Sequence, residues 1–516
     1  MAEALDVYKK DIFDLDGVPA FREFYTLFMF PWKAVYKGFY EEWHKVPYST
    51  INTPKGLTRT MMSLRAAKMA AEQLSRYEWS EKCDITVSQD GYDSEEPDPL
   101  NEYLQDVLQR NSFTSAIGEI LEKANAMGGG AIKEWVDVPK DEEGRDIGEP
   151  RVRLSYHMAD QFVPTAWDNK KVKEALFVSR EAKDGFYYSR VEWHKWQGET
   201  YVVTNDLYRV PIRDAAEPQN ILGWQYPLDR IYPFIAPETY IEGLDKTAFQ
   251  YIRPFGANWC DDNSPLGVAI FSSAMDTLHA LDVAFDSFHR EFVLGKKRII
   301  VPARALRPVV DQNTGEMVRY FDANDAVYEG LSTDEDGANK IIDNSVELRV
   351  EEHVAAINAL LALLCGQIGF NANAFAFDAS AGMKTATEVI SENSKTYGTV
   401  QANIGLLRES LTDMVDAILE LSVKYGCTWQ GQTIESLVAG GYNVSVTFDD
   451  SIIEDKAAEQ TQALQDVDRG LMSKKTYLMS LRGMTEEEAD AELARIADES
   501  SIGGTAVDVL FGGTEE

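Results

Sequence analysis

Apolar residues recur every three or four positions in three separate stretches between Ser264 and Gly426, and these stretches predict three helices. The first runs from Ser264 to about Gly295, with Phe271, Met275, Leu278, Leu281, Phe285, Phe288 and Phe292 on one stripe. Ser264 followed by Pro265 suits a helix start. Asp282, Asp286 and His289 fall off the stripe, on the face expected to be polar. A second helix is predicted from about Val346, with Val350, Val354, Ile357, Leu361, Leu364 and Ile368 alternating in steps of four and three. These two should pair antiparallel across the segment between them, because each stripe needs a cover. A third helix is predicted from about Thr385 to Tyr425, through Tyr397, Val400, Ile404, Leu407, Leu411, Met414, Ile418 and Leu421. Thr385 with Glu388 matches a capping box, and Gly426 provides a stop.

The segment between the first two helices reads differently. KKRIIVP, VVDQNTGEMVRYF and NKIID are short β-like pieces separated by turns. Upstream, Phe21 to Trp43 is dense in aromatic residues suited to packing, and Pro31 is expected to interrupt a helix there. GLTRTMMSLRAAKMAAEQLSRYEW has helical spacing from Leu57, and the strand-like CDITV follows. NEYLQDVLQRNSFTSAIGEILEKANAM predicts one or two helices, stopped by Gly128, Gly129 and Gly130. Residues 131–260 switch to period-two patterning and predict a mostly β region. Past Gly426 come a strand, YNVSVTFDDSI, and charged helical segments, with Thr485 and Glu488 spaced as a second capping box.

Composition narrows the class. Hydrophobic residues make up 44% and aromatic residues 11% of 516, which fits a folded chain of three or four structural units. Acidic residues outnumber basic ones 85 to 50, for a formal charge of −35. Such a surface favours solubility, and it also suits a protein that must lie near phosphate without adhering to it. Cys83, Cys260, Cys365 and Cys427 are far apart and form no CxxC pair, so neither a zinc cluster nor a disulfide framework is expected. No signal peptide and no membrane span is expected, since the longest apolar run, AAINALLALLCGQIGF, is short for one.

Catalytic chemistry finds little support. The chain has no GxSxG elbow, no HExxH, and no glycine-rich loop followed by Gly-Lys-Ser/Thr. His194, in VEWHKW, has no second histidine nearby and reads as a sheet residue rather than a metal ligand. With so many acids a glycosidase-like carboxylate pair can arise by chance, which leaves a carbohydrate-active enzyme as one alternative. No cofactor or metal is expected.

Several phrases resemble a known family. YKGFYEEWH, SLRAAKMAAEQL, MKTATEVISENSKTYGTVQANI, VTFDDSIIED, GLMSKKTYL and TEEEADAEL are similar to phage portal proteins, especially those of siphophages infecting Gram-positive bacteria. The resemblance implies an α+β portal fold with a wing, a helical stem, a strand-rich clip and an α-helical crown. It places the wing in residues 1–263 and 384–454, the stem helices in 264–296 and 345–370, and the clip in 297–344. A tunnel loop would occupy 371–383, and the crown and tail 455–516. It further implies a homo-oligomeric ring of twelve at a capsid vertex of the virion, assembled in the host cytoplasm, through which double-stranded DNA passes. Terminase, a head-completion or adaptor protein, the major capsid protein and a scaffolding protein are the implied partners, with no membrane. Another structural head protein, a capsid or connector subunit, remains the other alternative.

Two groups of residues become candidates in that frame. Asn371, Asn373, Phe375, Phe377, Asp378, Ser380 and Lys384 belong to the loop region that would face DNA, although both phenylalanines could instead pack on the core. Lys296, Lys297, Arg298, Arg304 and Arg307 form a dense basic cluster where the first helix meets the insertion. They could touch phosphate weakly, or pair with acids across a subunit interface.

Overall fold

The third predicted helix is the axis of the fold. It runs Ala386–Lys424, 39 residues, about 58 Å at 1.5 Å per residue. Val400, Ile404, Leu407, Leu411, Met414, Ile418 and Leu421 are all buried, as their spacing requires. Around it pack the helix Ala66–Glu78, a three-stranded sheet and the strand Tyr442–Thr447, in one continuous apolar core that draws on residues from Ile12 to Phe448. The computed structural model describes residues 10–47, 57–92, 97–141, 143–214, 221–295, 299–300, 307–310, 317–320, 342–343, 347–375, 386–449, 463–467, 469–482, 484 and 489–496.

The aromatic N-terminal stretch does supply packing, with Phe24, Tyr25, Met29 and Trp32 buried. Pro31, however, does not interrupt it. Tyr25–Met29 takes π spacing, with the Phe30 N–H donating to Tyr25 O, and Pro31 then enters the first turn of Phe30–Tyr36, where its missing N–H costs nothing. The next helix is shorter than its spacing suggests, beginning at Ala66. Thr58–Thr60, the β-branched part of GLTRT, instead pairs as a strand with Lys45–Pro47. Two helices follow, Pro99–Arg110, capped by the Asp98 carboxylate, and Phe113–Met127.

The β region forms two sheets. Gly130–Asp137 is the middle strand of three, between Phe249–Ile252 and Arg151–Met158. A larger antiparallel sheet runs in the order Lys10–Asp11, Ile221–Tyr226, Thr200–Pro211, Phe186–Gln197, Lys171–Lys183, Phe162–Asp168, with Glu238–Glu242 also on Thr200–Pro211. His194 is buried in it, held by the Tyr201 hydroxyl and Glu192, each at 2.9 Å.

The first stem-like helix starts later than predicted. Ser264–Ile270 is a largely buried non-helical segment, and the α-helix is Met275–Leu294. The segment cannot coil because it crosses the glycine stop at backbone contact. A Cβ on Gly267 would lie 2.4 Å from Gly128 O, and one on Gly128 would lie 2.6 Å from Gly267 O. The Tyr251 hydroxyl bridges the crossing, donating to Gly128 O at 3.1 Å and accepting from Gly267 N–H at 3.0 Å. Gly128 thus ends its helix with a left-handed cap (φ +84°), as a terminator should, and is also one side of a close crossing.

Of the insertion, two antiparallel pairs are described: Ile299–Ile300 with Ile342–Asp343, and Arg307–Val310 with Met317–Tyr320. The C-terminal strand Tyr442–Thr447 pairs with Asp84–Gln89, the CDITV strand. A helix at Lys474–Arg482 and helical residues 463–467 and 489–496 follow. The proposed caps Thr385 and Thr485 lie outside the described residues.

Candidate functional site

Met275–Leu294 and Val350–Ile368 pack side by side and antiparallel. The second begins beside Glu291, near the end of the first, and finishes against Ser272–Ala274 at its start. Leu278 and Leu281 meet a stripe of Ile357, Leu361, Leu364 and Ile368, all buried. At the open end Arg349 grips Glu291 with its Nε at 3.2 Å and Nη2 at 2.9 Å, which pulls the Glu291 pKa down to about 2.

On the polar face of Met275–Leu294, Asp282 and Asp286 are buried. His279, Asp282 and Asp286 lie within two turns on one side, and each meets a residue of the 43–64 segment. Trp43 stacks on His279 with ring centres 4.9 Å apart. His44 Nε2 sits 3.1 Å from Asp282 Oδ2, while the Leu64 N–H donates to Asp282 Oδ1 at 2.8 Å. Arg59 donates twice to Asp286, and the Met62 N–H once more at 3.2 Å. Burial raises the pKa of Asp282 in spite of these donors. Burial also opposes ionising Asp286, but Arg59 and the Met62 amide outweigh it and hold its pKa below the ordinary value. His289 is exposed, as expected.

The second helix hands over to the loop through Gly369. Its φ of +84° and the closeness of Thr399, whose Oγ1 would lie 2.3 Å from a Cβ there, admit only glycine. Thr399 Oγ1 donates to Gly369 O at 2.8 Å, Lys395 Nζ to Gly366 O at 2.7 Å, and Thr396 Oγ1 accepts the Asn371 N–H at 2.8 Å. The start of the loop is therefore tied to the third and fourth turns of the long helix. Asn373 closes a turn by donating its N–H to Asn371 Oδ1 at 3.1 Å.

Among the loop candidates, Asn371, Asn373 and Phe375 are described. Phe375 is half-buried and packs on Phe370, ring centres 5.8 Å apart, which is core contact. Phe377, Asp378, Ser380 and Lys384 lie outside the described residues. So do Lys296, Lys297, Arg298 and Arg304 of the basic cluster, while Arg307 opens a strand of the insertion. The residues that fix the helix pair, His44, Arg59, Asp282 and Asp286, were not visible as a set. Their partners are more than 200 positions apart, and no local pattern marks them.

Among the described residues no group of three or more His, Cys, Asp or Glu could hold a metal ion. No described helix is long and apolar enough to cross a membrane.

No curated protein matches the chain. The family model for phage portal protein, SPP1 Gp6-like, matches residues 31–502, a span that takes in the N-terminal aromatic stretch from Pro31, both sheets apart from the edge strand Lys10–Asp11, the helix pair and the long helix. With a match over so much of its 516 residues, the chain belongs to the phage portal protein family.

Proposed function

We propose that the chain is the subunit of a ring that conducts double-stranded DNA into and out of a phage capsid at one vertex. One observation beyond the family match supports a ring. The helix pair leaves Val283, Phe292, Val293, Leu294, Leu348 and Leu363 between 38% and 53% exposed. Five large apolar side chains on two adjacent helices, with Leu348 just before the second, suit a surface that neighbouring copies cover. Repeating such a contact head to tail closes a cyclic assembly.

In this reading the helix pair, Met275–Leu294 with Val350–Ile368, is the stem, and the strands between them are the clip. The sheets, the N-terminal helices and the long helix form the wing, and the C-terminal helical residues the crown. The lock between the 43–64 segment and Asp282 and Asp286 fixes the stem against the wing. The loop after Gly369 narrows the channel, its first residues held by Thr396 and Thr399.

The mechanism is passive. A chain carrying −35 presents DNA with a repelling wall, so phosphate contacts do not accumulate into tight binding. Lys296, Lys297, Arg298, Arg304 and Arg307 would offer weak contacts near the channel mouth. The ring catalyses no step of its own. A terminase supplies the work, and head-completion, capsid and scaffolding proteins dock on the outer surfaces. Native mass measurement tests the assembly: one closed species near twelve chain masses is expected, and a monomer at micromolar concentration contradicts it.

A further inference from the structure

Between the three-stranded sheet and the larger one lies a cavity of about 880 Å³ that the conduit reading does not use. Its floor is charged. Lys133 Nζ donates to Glu192 Oε1 at 2.7 Å, and Arg190 Nη2 lies 3.1 Å from Glu192 Oε2. Lys133 and Arg190 thus share one carboxylate, and burial pulls the Lys133 pKa below its usual value. Burial opposes the charge on Glu192, but Lys133, His194 and Arg190 together hold its pKa well below the usual range.

Among the described residues neither Lys133 nor Arg190 pairs with a carboxylate other than Glu192. Glu134 is 1% exposed, and burial raises its pKa well above the usual value. Burial and Lys133 push the pKa of His157, 7% exposed, down to about 3, so its ring is neutral at pH 7. His194 is engaged by Tyr201 and Glu192, and at the rim Lys140 is matched by Asp146 at 2.6 Å and Asp137 by Arg153 at 3.7 Å. Among the described residues, both carboxyl oxygens of Glu134 and Nε2 of His157 find no hydrogen-bond partner. Folded proteins rarely leave buried polar atoms unmatched without a use for them.

The walls are apolar, formed by Val136, Val203, Ile241 and Leu421. At the mouth Trp135 is 43% and Phe234 53% exposed. The exposed apolar rim continues beyond the cavity to Ile147, whose N–H is held by Pro139 O at 2.9 Å. A single carboxylate with apolar neighbours on both sides complements such a site, and the extended rim suits a chain better than a free small acid.

We propose that this cavity docks a short acidic peptide segment of a partner protein, its carboxylate directed toward Lys133 and Arg190 and its apolar flanks against Trp135 and Phe234. The site is independent of the stem and of DNA passage, so it stands or falls separately from the ring reading.

Calorimetry on the full-length protein tests it, with two capped peptides as probes: leucyl-aspartyl-phenylalanine and the same peptide with asparagine. The aspartyl peptide is expected to bind at least tenfold tighter. Arg190→Gln should abolish that preference. Trp135→Ser, at an exposed position that leaves folding intact, should weaken both peptides several-fold. No saturable binding, equal binding of the two peptides, or a preference that survives Arg190→Gln overturns the proposal. So does 4-phenylbutyrate binding as tightly as the peptide, which would make the cavity a small-acid site.

Discussion

The Asp286 carboxylate receives both terminal guanidinium nitrogens of Arg59, at 2.9 and 2.7 Å, across 227 positions of sequence. One turn earlier Asp282 makes the matching contact with His44. A helix that would otherwise slide on an apolar seam is thereby fixed in register and rotation, because a bidentate pair tolerates little displacement.

Removing one partner of that pair should cost more than removing both. Asp286→Ala leaves Arg59 and the Met62 amide without their acceptor and is expected to destabilise the fold by ~3 kcal/mol. Arg59→Met with Asp286→Leu should recover a good part of it. Urea unfolding of the four proteins in a double-mutant cycle measures the coupling, and a coupling near zero would remove the lock from the account.

Glu78 makes stability depend on pH in the alkaline direction. It is fully buried, accepts one hydrogen bond from Asn125 at 2.7 Å, and has its pKa pushed up by burial to about 8, against 4.5 for the free side chain. The folded protein therefore holds a proton that the unfolded chain has released between those two values. Stability is highest below about pH 4.5 as far as this group is concerned, and falls as pH rises to about 8. Glu78→Gln should change little at pH 5 and raise stability by roughly 3 to 5 kcal/mol at pH 9, from the size of the shift. Melting temperatures of both proteins at the two pH values decide it.

The glycines divide into two kinds. Gly267→Ala drives a methyl group into the Gly128 carbonyl and should cost more than ~2 kcal/mol, with a fall in soluble yield. Gly405→Ala, inside the long helix with open space around its Cβ, should stabilise by up to about 1 kcal/mol. Thermal shift of the two variants separates a backbone crossing from an incidental helix glycine.

The helix pair, the strand insertion, the glycine stop and the 39-residue helix could be read from the sequence because each rests on local periodicity or a local breaker. Where local cues met a distant partner they failed. Leu57 to Leu64 has helical spacing, yet Arg59, Met62 and Leu64 are drawn out to Asp286 and Asp282, and the chain there is strand and coil. Asp282 and Asp286 look like a solvated face for the same reason: a charge pattern cannot announce a donor more than 200 residues away. Pro31 misled because a π turn can absorb it. The site residues were harder still. Phe375 alternates with small residues as a protruding loop should, and it nevertheless packs on Phe370.

Thr396 and Thr399 should control the loop. Replacing both by Val removes the acceptor for the Asn371 N–H and the donor to Gly369 O, and hydrogen exchange at Asn371 is expected to speed up by tenfold or more. Deleting residues 376–383 in an infecting phage should lower the fraction of genomes packaged and retained. The same assay reads Gln substitutions at Lys296, Lys297, Arg298, Arg304 and Arg307. Wild-type retention in either case would remove that segment from the DNA path.

The ring itself is the claim on which the rest depends, and images of the purified full-length protein in negative stain test it most directly. Rotationally symmetric particles with a central hole wide enough for a DNA duplex, about 20 Å across, are the predicted result. Closed shells, or single globular particles at every concentration, would contradict it.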